Sequence, residues 1–355
     1  MKNLLPHSAY FDPEFYHLEN KLLDKCWFFA GIKGQINNHQ DYLTAQHFNL
    51  PIFIVNSENS LKGFVNRCLH RGAPIMKLGS QGNGPIKCQY HGWQYQADGK
   101  IKAIPFASSF PETPTHGLEV INVDNCGELI FYSFKQNKMS LKDYLGAFYD
   151  ELMLISSYMQ NVHHKEKYTI QANWKINVEN SLESYHVAHV HKDTFVGVMN
   201  LNPQNGSENQ TNLHSSWQTD LEEKTATKMK RMEKIFGHKD FPIKGYKHFF
   251  IFPNLAIATT TGLSFGIQTY NPLSPSSTEF EHLVIAPKNE NAAIVSQFLD
   301  SVTQFNSTVF KEDCEICEQL QINIPHQKND FYFSNIFEKR LEHFQNQIKE
   351  QISWK

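Results

Sequence analysis

The apolar residues near the N-terminus recur at helical spacing. In PEFYHLENKLLDKCWFF they fall at Phe15, Leu18, Leu22 and Trp27, which predicts one helix. From residue 41 to about residue 134 the pattern changes to short apolar runs such as PIFIV, GFVN and ELIFYSF, separated by Gly, Pro, Asn and Ser. This second stretch is typical of a small all-β unit.

The rest of the chain mixes both periodicities. SLKDYLGAFYDELMLISSYM predicts a helix that Ser140 caps. AIATTTGLSFGIQTYNPLSPSSTEFEHLVIAP predicts strands, and helical spacing returns at residues 292–321 and 335–352. Residues 203–245 are polar and weakly patterned, which predicts an exposed excursion or lid. We therefore expect an α+β protein in three parts, residues 1–40, 41–140 and 141–355.

Length and charge narrow the class of protein. The chain has 355 residues, of which 40% are hydrophobic, enough for a sizeable core. A formal net charge of -3 gives no sign of a nucleic-acid or membrane partner. The first residues lack the apolar core of a signal peptide, and no run approaches the ~18 apolar residues that span a bilayer. We expect a cytoplasmic protein.

Two of the six cysteines stand beside histidines in a spacing that disulfides do not require. Cys68-x-His70 is followed after seventeen residues by Cys88-x-x-His91, and each pair lies in a turn between apolar runs. Two thiolates and two imidazoles suit either a zinc ion or a [2Fe-2S] cluster with two histidine ligands. Core cysteines beside surface histidines would be the alternative without a metal, but the double spacing argues against it.

The residues around these four favour the cluster. CLHRGAP and CQYHGW closely resemble the signature of Rieske proteins, in which small residues and proline let two loops close over a [2Fe-2S] cluster. The glycines near both pairs permit tight turns and leave backbone N–H groups for the cluster sulfurs. The resemblance implies that Cys68, His70, Cys88 and His91 bind the cluster.

A second group of candidate metal ligands lies in NWKINVENSLESYHVAHVH. His186 and His191 are five residues apart, so on a regular helix they would diverge by roughly 140 degrees. They can share one metal only if the helix ends or distorts near them. By spacing alone, two such histidines are more often surface or core residues than ligands.

The surroundings of this pair resemble the mononuclear-iron segment of Rieske non-haem iron oxygenases. In that family Asn-Trp-Lys opens the segment, Glu-Asn follows, and an acidic residue precedes His-x4-His by three positions; the chain has Asn173, Trp174 and Lys175, then Glu179 and Asn180, then Glu183. Two histidines and one carboxylate form a facial triad that leaves positions open for O2 and substrate. The resemblance therefore extends to both halves of the chain.

The family's carboxylate ligand lies near the start of a C-terminal helix, in a string that FKEDCEICEQLQ resembles. This assigns Asp313 as the third ligand, with Glu312 as the less favoured neighbour. An Asp in this position can also serve as a helix cap. Cys314 and Cys317 lie in an amphipathic pattern and are expected to be core residues.

Glu183 departs from the usual pattern of the family. Most relatives have aspartate there, which bridges the Rieske histidine of one subunit and the iron ligand of the next. Glutamate keeps the charge and adds a methylene, so we expect a catalytic bridge of different geometry. The Leu-Glu-x-Tyr-His arrangement resembles the subgroup that acts on quaternary ammonium compounds such as carnitine, choline, glycine betaine and stachydrine.

The resemblance implies the architecture and partners of a catalytic alpha subunit. Residues 1–40 would pack as a helical segment on the catalytic domain, 41–140 would form the Rieske domain, and 141–355 would form a helix-grip domain, an antiparallel sheet with helices, that holds mononuclear Fe(II). No Rossmann or P-loop motif is present, so a separate NAD(P)H-dependent flavin or iron–sulfur reductase would supply the electrons. The subunits would form a homotrimer.

For substrate, these motifs favour monooxygenation or N-demethylation of a quaternary ammonium compound. Phe249, Phe252, Phe265 and Tyr270 are candidates for a cation-binding aromatic cage, although their pattern fits core residues of a β-sheet better. Hydroxylation of an aromatic ring is the alternative with the same iron chemistry. Outside oxygenation stand a Rieske electron-transfer protein and a zinc hydrolase.

Overall fold

The computed structural model describes residues 2–58, 60–134, 137–202, 205–236, 241–288 and 292–353. They form two compact units. The small unit comprises Leu23–Tyr144 and Phe148–Ser157, and the large unit comprises Met1–Leu22, Leu145–Ala147 and Tyr158–Lys355. No helix among the described residues is both long and apolar enough to cross a membrane.

The predicted N-terminal helix is present but short. Helix α1 spans Pro13–Glu19, and Asp12 caps it by accepting a hydrogen bond from the backbone N–H of Glu14 at 2.8 Å. A 3₁₀ turn continues it over Asn20–Asp24. The helical pattern ends there because the next apolar residues belong to a strand.

The small unit is antiparallel β-structure. Its strands are β1 Phe28–Ile32, β2 Asp41–His47, β3 Leu50–Ser57, β4 Ser60–Val65, β5 Gln81–Asn83, β6 Gln94–Tyr95, β7 Ile101–Ala103, β8 Val120–Cys126 and β9 Leu129–Ser133. Seven of them form a sheet in the order β1-β9-β8-β4-β3-β2-β5, and β6 pairs with β7. Because β1 pairs along β9, residues 23–40 lie in this unit, and not in the N-terminal segment where the sequence pattern placed them.

A helical region follows as expected and is divided in two. Helix α2 spans Leu141–Leu145 and helix α3 spans Tyr149–Ser156. The Ser140 hydroxyl accepts a hydrogen bond from the Asp143 N–H at 3.1 Å, so the predicted cap is confirmed. Gly146, with φ of 53°, opens the 3₁₀ turn that separates the two helices.

The large unit is built on one curved antiparallel sheet. Its strands are β10 Met159–Ile170, β11 Ser207–Gln210, β12 Ser215–Thr219, β13 Tyr246–Ile251, β14 Leu255–Thr260, β15 Phe265–Ser274 and β16 Ser277–Pro287, in the order β10-β16-β15-β14-β13-β12-β11. Its remaining helices are α4 Trp174–Ser181, α5 Val187–Val190, α6 Glu223–Phe236, α7 Ala292–Asn323 and α8 Lys339–Ile352. The α+β class is therefore confirmed.

The polar segment 203–245 is not simply an exposed excursion. Strands β11 and β12 extend the sheet, and Trp217 on β12 is buried, while α6 crosses the same stretch as an amphipathic helix. Residues 203–204 and 237–240 lie outside the described residues. Strand β12 has the sequence SSWQT, so Trp217 is its one apolar residue and no alternation of apolar and polar positions could be recognised.

Candidate metal centres and substrate cavity

The small unit holds its four candidate ligands on two loops with the same backbone turn. In the first loop the Cys68 N–H donates to the Ala73 carbonyl at 2.9 Å and the Gly72 N–H donates to the Cys68 carbonyl at 2.9 Å. The second loop repeats this pair of bonds: the Cys88 N–H donates to the Trp93 carbonyl at 2.8 Å, and the Gly92 N–H donates to the Cys88 carbonyl at 3.0 Å. Gly72 and Gly92, which occupy matching positions in the two loops, have φ of 75° and 72°, a conformation that favours glycine.

These loops bury the thiols and expose the imidazoles. Cys68 and Cys88 are 3% and 2% exposed. Burial raises the pKa of the Cys68 thiol, and the Tyr95 hydroxyl, at 3.1 Å from its sulfur, opposes this. His70 and His91 bring their Nδ1 atoms to 3.1 Å of each other at the surface. The four side chains therefore form one pair of sulfurs and one pair of nitrogens.

The arrangement of these four side chains suits a [2Fe-2S] cluster better than a single zinc ion. Zinc binds sulfur at about 2.3 Å and nitrogen at about 2.0 Å, so its ligand atoms lie within about 4.6 Å of one another. Among the described residues, no three ligand atoms of this quartet come within 4.8 Å of one another. A [2Fe-2S] cluster needs one pair on each iron, which the two separate pairs fit.

The large unit brings the second set of candidate ligands together. Helix α5 is a single turn, with His186 at its N-cap and His191 at its C-cap, where φ and ψ are -104° and 30°. Their Nε2 atoms lie 3.3 Å apart. The helix thus ends where the two histidines must converge, as their spacing required.

Asp313 on α7 completes a three-residue site. Its Oδ1 lies 3.0 Å from His191 Nε2 and 3.4 Å from His186 Nε2, and it also accepts a hydrogen bond from Asn180 Nδ2 at 2.8 Å. Burial would raise the pKa of Asp313, but the two histidines outweigh it and lower that pKa to about 2. Among the described residues, this group alone places three candidate ligand atoms within 4.8 Å.

Two further carboxylates hold the outer nitrogens of these rings. Glu312 Oε2 accepts from His191 Nδ1 at 2.7 Å and from Thr194 Oγ1 at 2.8 Å. Glu183 Oε1 accepts from His186 Nδ1, and its Oε2 accepts from the backbone N–H groups of residues 185 and 186. Glu312 therefore contacts the candidate ligand His191 and is not placed as a ligand itself. The hydrogen bonds from Glu312 and Glu183 use the Nδ1 atoms and leave the Nε2 atoms of both histidines free to face a metal.

The three-residue site opens on a cavity of about 770 Å³ in the large unit. Asn180, Glu183 and the rings of residues 168, 270, 280 and 310 are part of its wall. Of the four aromatic residues proposed for a cage, Tyr270 lines the cavity. Phe249 and Phe265 are fully buried in the sheet, and Phe252 is fully buried in the turn between β13 and β14. Rings such as Phe280 were missed because a single strand pattern does not tell which face meets the cavity.

Comparison with known proteins agrees with a protein that carries two metal centres in two domains. Residues 26–117 match the Rieske [2Fe-2S] domain, and residues 159–354 match the catalytic domain of the ring hydroxylating alpha subunit. The chain therefore belongs to the Rieske non-haem iron oxygenases, as an alpha subunit. Members of this family carry a [2Fe-2S] cluster and a mononuclear iron.

Curated relatives include enzymes of two kinds. The alpha subunit of toluate 1,2-dioxygenase from Pseudomonas putida is 29% identical over 51% of the chain and 42% of its own length. The oxygenase subunit of glycine betaine monooxygenase from Chromohalobacter salexigens is 30% identical over 53% of the chain and 43% of its own length. These alignments thus span less than half of either relative.

A solved structure shares the fold along nearly the whole chain. The quaternary ammonium Rieske monooxygenase CntA superimposes with a TM-score of 0.83 over 98% of the chain and 95% of its own, at 16% identity. At this identity the likeness concerns the fold.

Proposed function

We propose that the chain is an oxygenase component that uses O2 and electrons from a reductase to oxidise a small organic substrate. The observation that carries the proposal is the His186, His191 and Asp313 site, which opens on a cavity of about 770 Å³. A cavity of this size accommodates a small molecule beside a metal. The three side chains occupy one side of the site and leave the cavity side open.

Each residue has a proposed role. Cys68, His70, Cys88 and His91 would hold the cluster, and His186, His191 and Asp313 would hold Fe(II). The iron would supply the site at which O2 is activated. Glu183 would accept the Nδ1 proton of His186, fix the orientation of that ring, and connect the two centres across a subunit boundary.

For substrate we favour a methylated ammonium compound. Tyr168, Tyr270 and Phe310 each contact the Phe280 ring, with centroids 5.2, 5.4 and 5.2 Å from it, so four rings form one continuous part of the cavity wall. Aromatic faces attract a quaternary ammonium group. Glu183 in the same wall adds a negative charge that is not a metal ligand. The names of CntA and of glycine betaine monooxygenase agree with this class of substrate.

Hydroxylation of an aromatic ring is the second candidate. The same four rings can stack against an aromatic substrate. Toluate 1,2-dioxygenase, the relative from Pseudomonas putida, is named for such a substrate. The reaction products separate the two candidates.

Membership of the family supports a proposal for the partners and location of the chain. We propose a separate NAD(P)H-dependent flavin or iron–sulfur reductase as electron donor, a homotrimer in which each cluster serves the iron of its neighbour, and a cytoplasmic location. The solved structure of the quaternary ammonium monooxygenase is described as revealing inter-subunit electron transfer, which supports this assembly.

Metal counting combined with electron paramagnetic resonance tests the proposal. We expect three irons per chain and the signal of a cluster with mixed nitrogen and sulfur ligands. Replacing Asp313 by Ala should remove one iron and leave the cluster signal intact. Two irons in the unmodified protein would indicate an electron carrier, and a colourless zinc protein would refute the cluster.

Turnover tests the substrate. Oxygen uptake would be measured with glycine betaine, carnitine, choline and benzoate in the presence of a reductase. N-demethylation releases formaldehyde, whereas ring hydroxylation yields a hydroxylated or dihydrodiol product. Uptake coupled to benzoate alone would refute the ammonium proposal and support the aromatic one.

A further inference from the structure

A charged residue occupies a buried position at the start of α8. Arg340 lies on the same helical face as Phe344 and Ile348, at spacings of four and eight residues. It is 4% exposed, and it lines the same cavity as the His186, His191 and Asp313 site. Arginine is almost never buried to this degree without a partner for its charge.

The contacts of Arg340 are with neutral groups. Its Nε donates to Ser215 Oγ at 3.0 Å, and its Nη2 donates to His248 Nδ1 at 3.1 Å. Burial, and then the charge of Arg340, hold the pKa of His248 well below its usual value, so this imidazole is neutral and accepts the bond. These two bonds use two of the five N–H donors of a guanidinium.

No carboxylate of the described residues forms a direct ion pair with Arg340. Among the described residues, none places a carboxylate oxygen within 4 Å of an Arg340 nitrogen. Glu208 is also part of the cavity wall, and its charge partly opposes the effect of burial on the pKa of Arg340. It lies on the exposed edge strand β11, where water screens it, and it does not reach ion-pair distance. Burial lowers the pKa of Arg340 to about 10, so the guanidinium remains charged at neutral pH.

A buried guanidinium with spare donors in a substrate cavity is complementary to a planar anion. Carboxylates bind arginine through two parallel hydrogen bonds, and such bonds are strong where water is excluded. The cavity wall therefore carries two kinds of recognition group, a cation-binding surface of rings with the Glu183 carboxylate and an anion-binding guanidinium.

We propose that Arg340 binds the carboxylate of the substrate, so that the preferred substrate is a methylated amine that also carries a carboxylate. This inference rests on the proposed function and narrows it: a betaine brings a carboxylate that can pair with Arg340, whereas an amino alcohol such as choline brings none. The neutral His248 orients the guanidinium toward the cavity by holding Nη2.

The affinities of small ligands for the unmodified holoprotein test whether the cavity prefers a carboxylate. Titration calorimetry would compare glycine betaine with choline and with glycine betaine methyl ester, which keeps the ammonium group, adds one methyl group and removes the negative charge. We expect glycine betaine to bind about 10- to 100-fold more tightly than either. Equal affinities for all three would overturn the role of Arg340 while leaving an ammonium-binding oxygenase in place.

A second pair of ligands makes the two proposals separable. Benzoate and benzyl alcohol differ in the same way but carry no ammonium group. If benzoate binds better than benzyl alcohol and no ammonium compound binds, the carboxylate site stands and the ammonium proposal fails. If neither carboxylate compound binds better than its analogue without a carboxylate, the carboxylate site fails.

Substitution then assigns the preference to one side chain. Arg340→Gln should reduce the affinity for glycine betaine by about 10- to 100-fold and change that for choline little, and Arg340→Lys should retain part of the preference. Arg231→Gln, on the exposed face of α6, is the matched control. The visible spectrum of the cluster reports whether each variant folds. An unchanged preference in a folded Arg340→Gln protein would overturn the assignment.

Discussion

Glu312 provides a test of how the iron site is built. The sequence allowed it as an alternative ligand, whereas the structure places its Oε2 on His191 Nδ1 at 2.7 Å, on the side of the ring away from Asp313. Loss of such an outer carboxylate typically weakens metal affinity by about 10- to 100-fold. We expect Glu312→Gln, which keeps an acceptor oxygen, near the lower value and Glu312→Ala near the upper one.

The magnitude follows from burial. His191 is 2% exposed, so in Glu312→Ala its Nδ1–H would face a space without an acceptor, and the ring would lose both its orientation and the carboxylate that makes it a better donor to the metal. Thr194, whose hydroxyl donates to the same Oε2 at 2.8 Å, would lose its closer acceptor as well and keep only the His191 carbonyl at 3.5 Å.

The assay is a titration of the apo-site with Fe(II) under anaerobic conditions, with the absorbance of the cluster as the internal measure of folded protein. Glu315→Gln, an exposed residue of the same helix, is the matched control and should leave the affinity unchanged. Affinity within twofold of the unmodified protein in Glu312→Ala would refute the reasoning. If Glu312→Ala bound no iron while Asp313→Ala still bound it, Glu312 would be the metal ligand and Asp313 the outer carboxylate.

Three other side chains give independent predictions. Glu183→Gln should weaken iron binding by about 10-fold in the same titration, because an amide replaces the carboxylate that accepts from the first histidine; unchanged affinity would separate this bond from metal binding. Lys175→Met should lower the free energy of unfolding by about 3–5 kcal/mol in urea, since it leaves the fully buried Glu19 without its ion pair, and adding Glu19→Gln should restore part of the loss. Tyr95→Phe should lower the reduction potential of the cluster in a redox titration, because the hydroxyl 3.1 Å from Cys68 Sγ no longer stabilises the reduced form; an equal or higher potential would contradict this.

The sequence predicted most where chemistry and local spacing coincide. The quartet from Cys68 to His91 was identified from two short loops, because each loop needs its own tight turn and its own ligands. His186 and His191 were harder, since their convergence depends on a one-turn helix that no periodicity reveals. Asp313 lies more than a hundred residues further along and was placed by resemblance to a family motif.

What the sequence did not predict depends on tertiary contacts. Strand β1 was read as the end of a helix because Trp27 and Phe28 fit both periodicities, and pairing with β9 decides between them. The role of Glu312 required knowing which nitrogen of His191 faces Asp313. Arg340 did leave a signal, a charged residue on the apolar face of α8, but its meaning depends on a cavity formed by distant strands.

The charges around the iron site and Arg340 have complementary consequences for specificity. Asp313, Glu183 and Glu312 concentrate negative charge around two imidazoles, so a divalent metal is the natural counter-ion at that point. Arg340 is the reverse case, a buried positive charge with no directly paired carboxylate among the described residues, although the exposed Glu208 acts on it from a distance. Because the protein supplies the anions for the metal and omits the anion for the arginine, the missing carboxylate is expected to arrive with the substrate. Choice between substrates then depends on the group that meets Arg340, while the reaction depends on the group that reaches the iron.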